Sequence, residues 1–173
     1  MSTDSKESVD QSLTFPRAIA EGAAMGGKFL TFVLAGEEFG IEIAKIQEII
    51  AMTPITPVPR APHYIRGVIN LRGKVMRVVD LRLKLGMDEH RQTAQTCIIV
   101  VHAAGTDMGL VVDRVSDVLD IAGRDIEDAP SFGADVDYIL GIGKETGRVR
   151  LLLDIERILS VQDVVEISAP AAG

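Results

Sequence analysis

The chain repeats itself. Residues 39–49, FGIEIAKIQEI, lie over residues 108–118, MGLVVDRVSDV, at an offset of 69. Gly40 falls on Gly109, while Ile41, Ile43, Ile46 and Ile49 fall on Leu110, Val112, Val115 and Val118. Later segments match at an offset of 74. There Gly67 falls on Gly141, Val68 on Ile142, Gly73 on Gly147 and Asp80 on Asp154. The change of offset puts about five extra residues in the second copy, between Val118 and Gly141. Two matches in the same order, apolar on apolar and glycine on glycine, mark two copies of one unit.

That unit is built of strands. KFLTFVLA runs into a turn at Gly36-Glu37-Glu38 and on to FGIEI, whose Phe39, Ile41 and Ile43 alternate onto one face. GVINLRGKVMRVVD reads as a hairpin. TCIIVVHA, MGLVVDRV, DYILGIG and RVRLLLDI carry the same signals in the second copy. Each copy has about five strands, and a sheet that small closes on itself to bury its apolar face and remove its edges. The predicted fold is mainly β: two small five-stranded barrels related by duplication, with a groove between them. Hydrophobic residues make up 47% of the chain, with five Phe, two Tyr and no Trp, so the core is aliphatic.

The predicted boundaries are a loose tail over 1–28, a first barrel over 29–92, a second over 93–153, a helix over 154–165 and a loose end over 166–173. TPITPVPRAP carries four prolines and is an extended connector. AKIQEII curls into a helical turn, with Ile43, Ile46 and Ile50 at spacings of three and four. DIERILS forms a short helix capped by Asp154, with Ile155, Ile158 and Leu159 on one face. Gly40, Gly67, Gly73, Gly109, Gly141 and Gly147 are assigned to structural turns.

The residues point away from catalysis and cofactors. The histidines at 63, 90 and 102 show no ligand spacing, so no metal site is expected. GIGKETG lacks the first glycine and the Ser or Thr of a phosphate loop. Asp113, Asp117, Asp120, Asp125, Glu127 and Asp128 do not follow a calcium-loop pattern and form a solvated acidic face. Cys97 is a lone cysteine inside an apolar run, a small buried hydrophobe. A net charge of −7 without a basic, aromatic-interleaved stretch argues against nucleic acid. The polar start and the lack of a long apolar run predict a cytoplasmic protein without a signal peptide or membrane insertion.

One residue has no structural duty. In the NLRG turn, Gly73 supplies a positive φ and Asn70 accepts backbone bonds, but the turn does not require Arg72. It is either a solvated cation or an anchor held for a partner.

Four blocks carry a family resemblance: FLTFVLAGEEFGIEIAKIQEI, IRGVINLRGKVMRVVDLR, GLVVDRVSDVL and RVRLLLDIERIL. They resemble the recurrent blocks of CheW, the bacterial chemotaxis coupling family, over about residues 28 to 160. The resemblance implies two SH3-like barrels and a non-enzymatic adaptor. Its partners would be the regulatory domain of the histidine kinase CheA and the cytoplasmic tip of chemoreceptors. Arg72 and Asn70 of the turn, with the groove-side Val115 and Val118, would meet the receptor, and Ile46, Glu48 and Ile49 the kinase. One departure is Arg77, where the family commonly has proline. An adaptor of another signalling array is the alternative, and a small ligand-binding barrel or enzyme the more distant one.

Overall fold

The computed structural model describes residues 26–128, 138–145 and 147–159. The first copy supplies β1 (Gly26–Leu34), β2 (Glu37–Glu42), β3 (Ile46–Ala51), β4 (Ile65–Leu71), β5 (Lys74–Asp80) and the single-turn helix α1 (Leu81–Lys84). The second supplies β6 (Cys97–Ala103), β7 (Thr106–Val112), β8 (Arg114–Ala122), β9 (Ile126–Glu127), β10 (Ile139–Glu145), β11 (Arg148–Leu153) and α2 (Ile155–Ile158).

The strands form two sheets, in the orders β3-β6-β7-β5-β4 (barrel I) and β8-β1-β2-β11-β10-β9 (barrel II). Both close. Beyond β3 the chain bends so that Thr56 pairs with Val68 of β4, through two backbone bonds of 2.9 Å. Beyond β8 it bends into β9, which pairs with β10 at Ile142 and Gly143. The bent strand thus joins the two edges of each sheet, and β8 with β9 counts as one strand of a five-stranded barrel.

The expected division into 29–92 and 93–153 does not separate the barrels. Hairpin β1–β2 of the first copy completes barrel II, and hairpin β6–β7 of the second completes barrel I. The joints are parallel pairs: Arg77 to Asp80 of β5 against Met108 to Val111 of β7, and Leu151 and Leu152 of β11 against Phe39 and Gly40 of β2. A sequence pattern of alternation is the same whichever copy the partner strand comes from, so only the pairing reveals the exchange. The helix predicted over 154–165 is observed over Ile155–Ile158, and residues 160–173 and 1–25 lie outside the described residues.

The duplication extends to irregularities. Bulges skip Gln47 in β3 and Ser116 in β8, and Arg66 in β4 and Leu140 in β10. Asp80 and Asp154 both cap: Asp80 accepts from the N–H of Leu83, and Asp154 from those of Glu156 and Arg157. Hairpins β1–β2, β4–β5 and β6–β7 turn through Ala35-Gly36, Arg72-Gly73 and Ala104-Gly105, each with positive φ at both central residues, as the right-handed strand twist favours.

The glycines divide by role. Gly73 and Gly147 are in turns with positive φ. Gly40 and Gly109 are not turn residues: they sit in β2 and β7, where a Cβ would come within 2.9 Å of the Leu152 side chain and 2.7 Å of the Ile98 side chain. Gly67 and Gly141 follow the β4 and β10 bulges. The predicted curl at AKIQEII is a 3₁₀ turn only over Ile43–Lys45, because the β-branched residues after it pair with β6 as β3.

Burial explains the long apolar runs. In β1, Phe29 points into barrel II with Ile121, Ile126 and Leu152, while Leu30, Phe32 and Leu34 face barrel I. In β6, Ile98 and Val100 fill barrel I while Ile99, Val101 and Ala103 face barrel II. Both faces of these strands are buried, so strict alternation is lost. The largest core lies between the barrels and takes in Leu81, Ile155, Ile158 and Leu159 of the helical turns. Each such aliphatic side chain contributes about 1.5–3 kcal/mol on burial. The junction between the barrels is therefore filled to a large extent by packed side chains.

Candidate functional site

At the β4–β5 turn the backbone dictates the geometry. Arg72 has φ +53 and Gly73 +86, and the Asn70 Oδ1 accepts the Gly73 N–H at 2.8 Å. Asn70 is thereby committed to the turn. Arg72 is held at the tip with its side chain 69% exposed, and its guanidinium donates to the carboxylate of Glu48 on β3. The structure thus brings Arg72 to Glu48, across the closure of barrel I, while Val115 and Val118 belong to β8 of barrel II.

The remaining candidates sort by the duplication. Ile46 and Val115 are equivalent, and both pack partly buried against the central core. Ile49 and Val118 are equivalent, and both are exposed, at 44% and 52%. Of the apolar candidates Ile49 and Val118 are the exposed ones, whereas Ile46 and Val115 are partly buried. Two exposed apolar residues escaped the sequence reading: Val75 and Val149, at 63% and 60%. They are equivalent at the offset of 74, and an exposed position occupied by valine in both copies was the available signal.

Beside Arg72 lies a polar cluster. The buried Asp107 of β7 takes a hydrogen bond from Gln47 at 2.9 Å, pairs with His102 at 2.7 Å and accepts from Lys74. Lys74 and His102 hold its carboxyl below the usual range. Barrel II repeats the pair as Glu38 with Arg148, joined by the buried Arg150 at 2.8 Å. In each case the acid comes from one copy and the cation from the other, so the ion pairs clamp the exchanged hairpins. At the other end of barrel I, burial pushes the Asp113 carboxyl up. The bidentate Arg82 and the Ala35 N–H outweigh that and hold it low. Burial raises Glu42, at the end of β2, to about 7.

Arg77 sits in the middle of barrel I, its strand paired with β4 on one side and β7 on the other. An arginine there keeps a backbone donor that proline would lack. Cys97 is half-buried beside the central core, and burial raises its thiol. Among the described residues no three His, Cys, Asp or Glu side chains converge as metal ligands, and no helix is long and apolar enough to cross a membrane.

Comparison with known proteins agrees with this architecture. The family model of the CheW-like domain matches residues 28–163. Chemotaxis protein CheW of Klebsiella aerogenes is 37% identical over 145 residues, covering 83% of this chain and 87% of the relative. Chemotaxis protein CheW of Bacillus subtilis is 35% identical over 136 residues, covering 78% and 87%. Protein FrzA of Myxococcus xanthus is 30% identical over 146 residues, covering 83% and 91%. The crystal structure of the scaffolding protein TtCheW from Thermoanaerobacter tengcongensis superimposes with a TM-score of 0.74 at 31% identity, covering 80% of this chain and 96% of that one. Two fused, strand-exchanged SH3-like barrels and a family match across both copies lead to one conclusion: the chain belongs to the CheW-like family.

Proposed function

We propose that this protein is a non-enzymatic chemotaxis adaptor that joins the cytoplasmic tips of chemoreceptors to the histidine kinase CheA. The family supports the adaptor role. The exposed apolar pair Ile49 and Val118 supports recognition by buried surface, since each sits on the bent closing strand of its barrel. In this reading Ile49 and Glu48 meet the kinase, with Ile46 packing behind them. Val118 and Arg72 meet the receptor, with Val115 behind Val118.

The observation that carries the reading is the Arg72–Glu48 pair. An exposed ion pair of this kind adds less than about 1 kcal/mol to stability. Its consequence is for binding: a partner that draws the guanidinium away also frees the carboxylate on β3. Receptor engagement and kinase engagement are then linked through one contact. A second reading, the same adaptor chemistry in a differently organised signalling array, draws on the match to a protein named FrzA.

The test is co-sedimentation with receptor-tip assemblies and with the kinase regulatory domain. Arg72→Ala keeps the melting temperature of the parent and weakens receptor binding by about 2 kcal/mol, roughly thirtyfold. Full-strength binding of both partners by that variant would remove Arg72 from the site.

A further inference from the structure

One buried carboxylate in barrel I reaches toward both proposed contact surfaces. Asp107 of β7 is 8% exposed, yet three solvent-exposed side chains converge on it. Gln47 Nε2 donates to its Oδ1 at 2.9 Å, and His102 Nδ1 lies 2.7 Å from the same oxygen. Lys74 donates to Oδ2. Gln47 is the residue that the β3 bulge skips, so it stands between Ile46 and Glu48. Lys74 is the first residue of β5, directly after the Arg72-Gly73 turn. Arg72 in turn donates to Glu48. The contacts form a ring. It runs from Asp107 to Gln47, along the chain to Glu48, across to Arg72, along the chain to Lys74 and back to Asp107.

The described residues of barrel II do not build this ring. At the offset of 69, Glu38 stands for Asp107, and Val33 pairs with Glu38 as His102 pairs with Asp107. At the offset of 74, Arg148 stands for Lys74 and likewise donates to the carboxylate. The difference lies at the other oxygen. In barrel II the buried Arg150 lies 2.8 Å from Glu38 Oε1. Its counterpart Met76 offers no donor, so Oδ1 of Asp107 is open to Gln47 and His102. At the Gln47 position barrel II has Ser116, which carries no amide to span the distance. Glu38 ties β2 to β11, whereas Asp107 ties β7 to β5 and also to the closing strand β3.

We propose that Asp107 is a positioning residue: it locks the β3 bulge to the Arg72 turn, so that Arg72, Glu48 and Ile49 are presented in one fixed arrangement. This role rests on the reading of those three residues as partner contacts. A bulge re-aims the residues beside it, and a hydrogen bond to the bulged residue holds that aim. Asp107 is too buried to touch a partner itself. Its contribution to the fold is small. Gln47 is exposed, and the Lys74 and His102 side chains are 60% and 57% exposed, so loss of the acceptor leaves each donor to water.

Asp107→Val in the full chain tests the proposal, since valine suits a buried strand position. Its melting temperature stays within about two degrees of the parent. Amide exchange without partners rises roughly tenfold at Glu48 and Arg72 and is unchanged at Phe39 and Ile41 of β2. Binding to receptor-tip assemblies and to the kinase regulatory domain weakens by roughly fivefold each. Lys74→Met repeats the receptor loss, whereas Lys74→Arg binds as the parent does. In an Arg72→Ala background, Asp107→Val lowers receptor binding no further, because the cation it positions is gone. Unaltered exchange at Glu48 and Arg72 overturns the proposal, whatever the binding. So does parent-level binding by Asp107→Val where Arg72→Ala binds weakly, or a fall in melting temperature large enough to account for the whole binding loss. Full-strength binding by Arg72→Ala is a separate result. It removes Arg72 from the site, and exchange at Glu48 and Arg72 still decides whether Asp107 holds the two segments.

Discussion

Replacing Gly67 by alanine tests how barrel I closes. Gly67 has φ +144, and a Cβ there would lie 2.1 Å from the Thr56 carbonyl oxygen and 2.7 Å from its carbon. Both are backbone atoms of the segment that bridges the sheet edges, so no side chain can rotate aside. Relief requires pulling Thr56 from Val68 and losing two hydrogen bonds of 2.9 Å. Those bonds contribute about 1 kcal/mol each, and the unfavourable φ adds on the order of 1–3 kcal/mol. The expected loss is about 4 kcal/mol, against a total stability of roughly 5–15 kcal/mol for a domain. Urea unfolding reads it directly, and the melting temperature should fall by about 10 °C. Gly73→Ala is the matched comparison: its φ is +86, but a Cβ there meets nothing within 4 Å, so it costs about 1 kcal/mol. If Gly67→Ala cost no more than Gly73→Ala, the bridge at Thr56 would not be what closes the barrel.

Four further outcomes are expected. Burial raises Glu42 from 4.5 to about 7, so the folded chain holds that proton more tightly than the unfolded chain. The stabilisation is complete below about pH 4.5 and is lost as pH rises through about 7. The full shift corresponds to a ceiling of about 3 kcal/mol, which partial solvent access reduces to about 1 kcal/mol, and Glu42→Gln should flatten urea midpoints across that window accordingly. Arg60 is exposed at φ +66, so Arg60→Gly should raise stability by about 0.5 kcal/mol, visible as a one- to two-degree rise in scanning calorimetry. Asp154→Ala removes the acceptor for the N–H groups of Glu156 at 3.0 Å and Arg157 at 3.4 Å and should cost about 1 kcal/mol in urea. Asp80→Ala should cost more, because it also strands Arg66.

The duplication could be read from the sequence because its signals are local: a glycine, an aspartate cap and alternating aliphatic residues recur at fixed spacing. The cap at Asp154 and the acceptor at Asn70 were visible for the same reason, since each acts on a backbone N–H two or three residues away. The exchange of hairpins was not visible. Phe39 meets Leu151 and Arg77 meets Met108 across long stretches of chain, and alternation carries no record of which partner lies alongside. Likewise Arg72 gave no sign in sequence that Glu48 would hold it. Gly40 looks like a turn residue in sequence because glycine favours turns, whereas in the fold it sits in β2, where a Cβ would come within 2.9 Å of the Leu152 side chain.

The traded hairpins also govern when the protein can form. As the chain leaves the ribosome, β1 and β2 emerge with no sheet to join, because the strands they need, β8 and β11, are translated much later. Barrel I must likewise wait for β7. A single unit synthesised alone would expose its aliphatic hairpin until a second unit accepted it, so an unfused ancestor would have been an obligate interlocked pair. Because residues 86–96 join the two units, each exchanged hairpin meets its sheet within one molecule, independent of how much protein the cell contains.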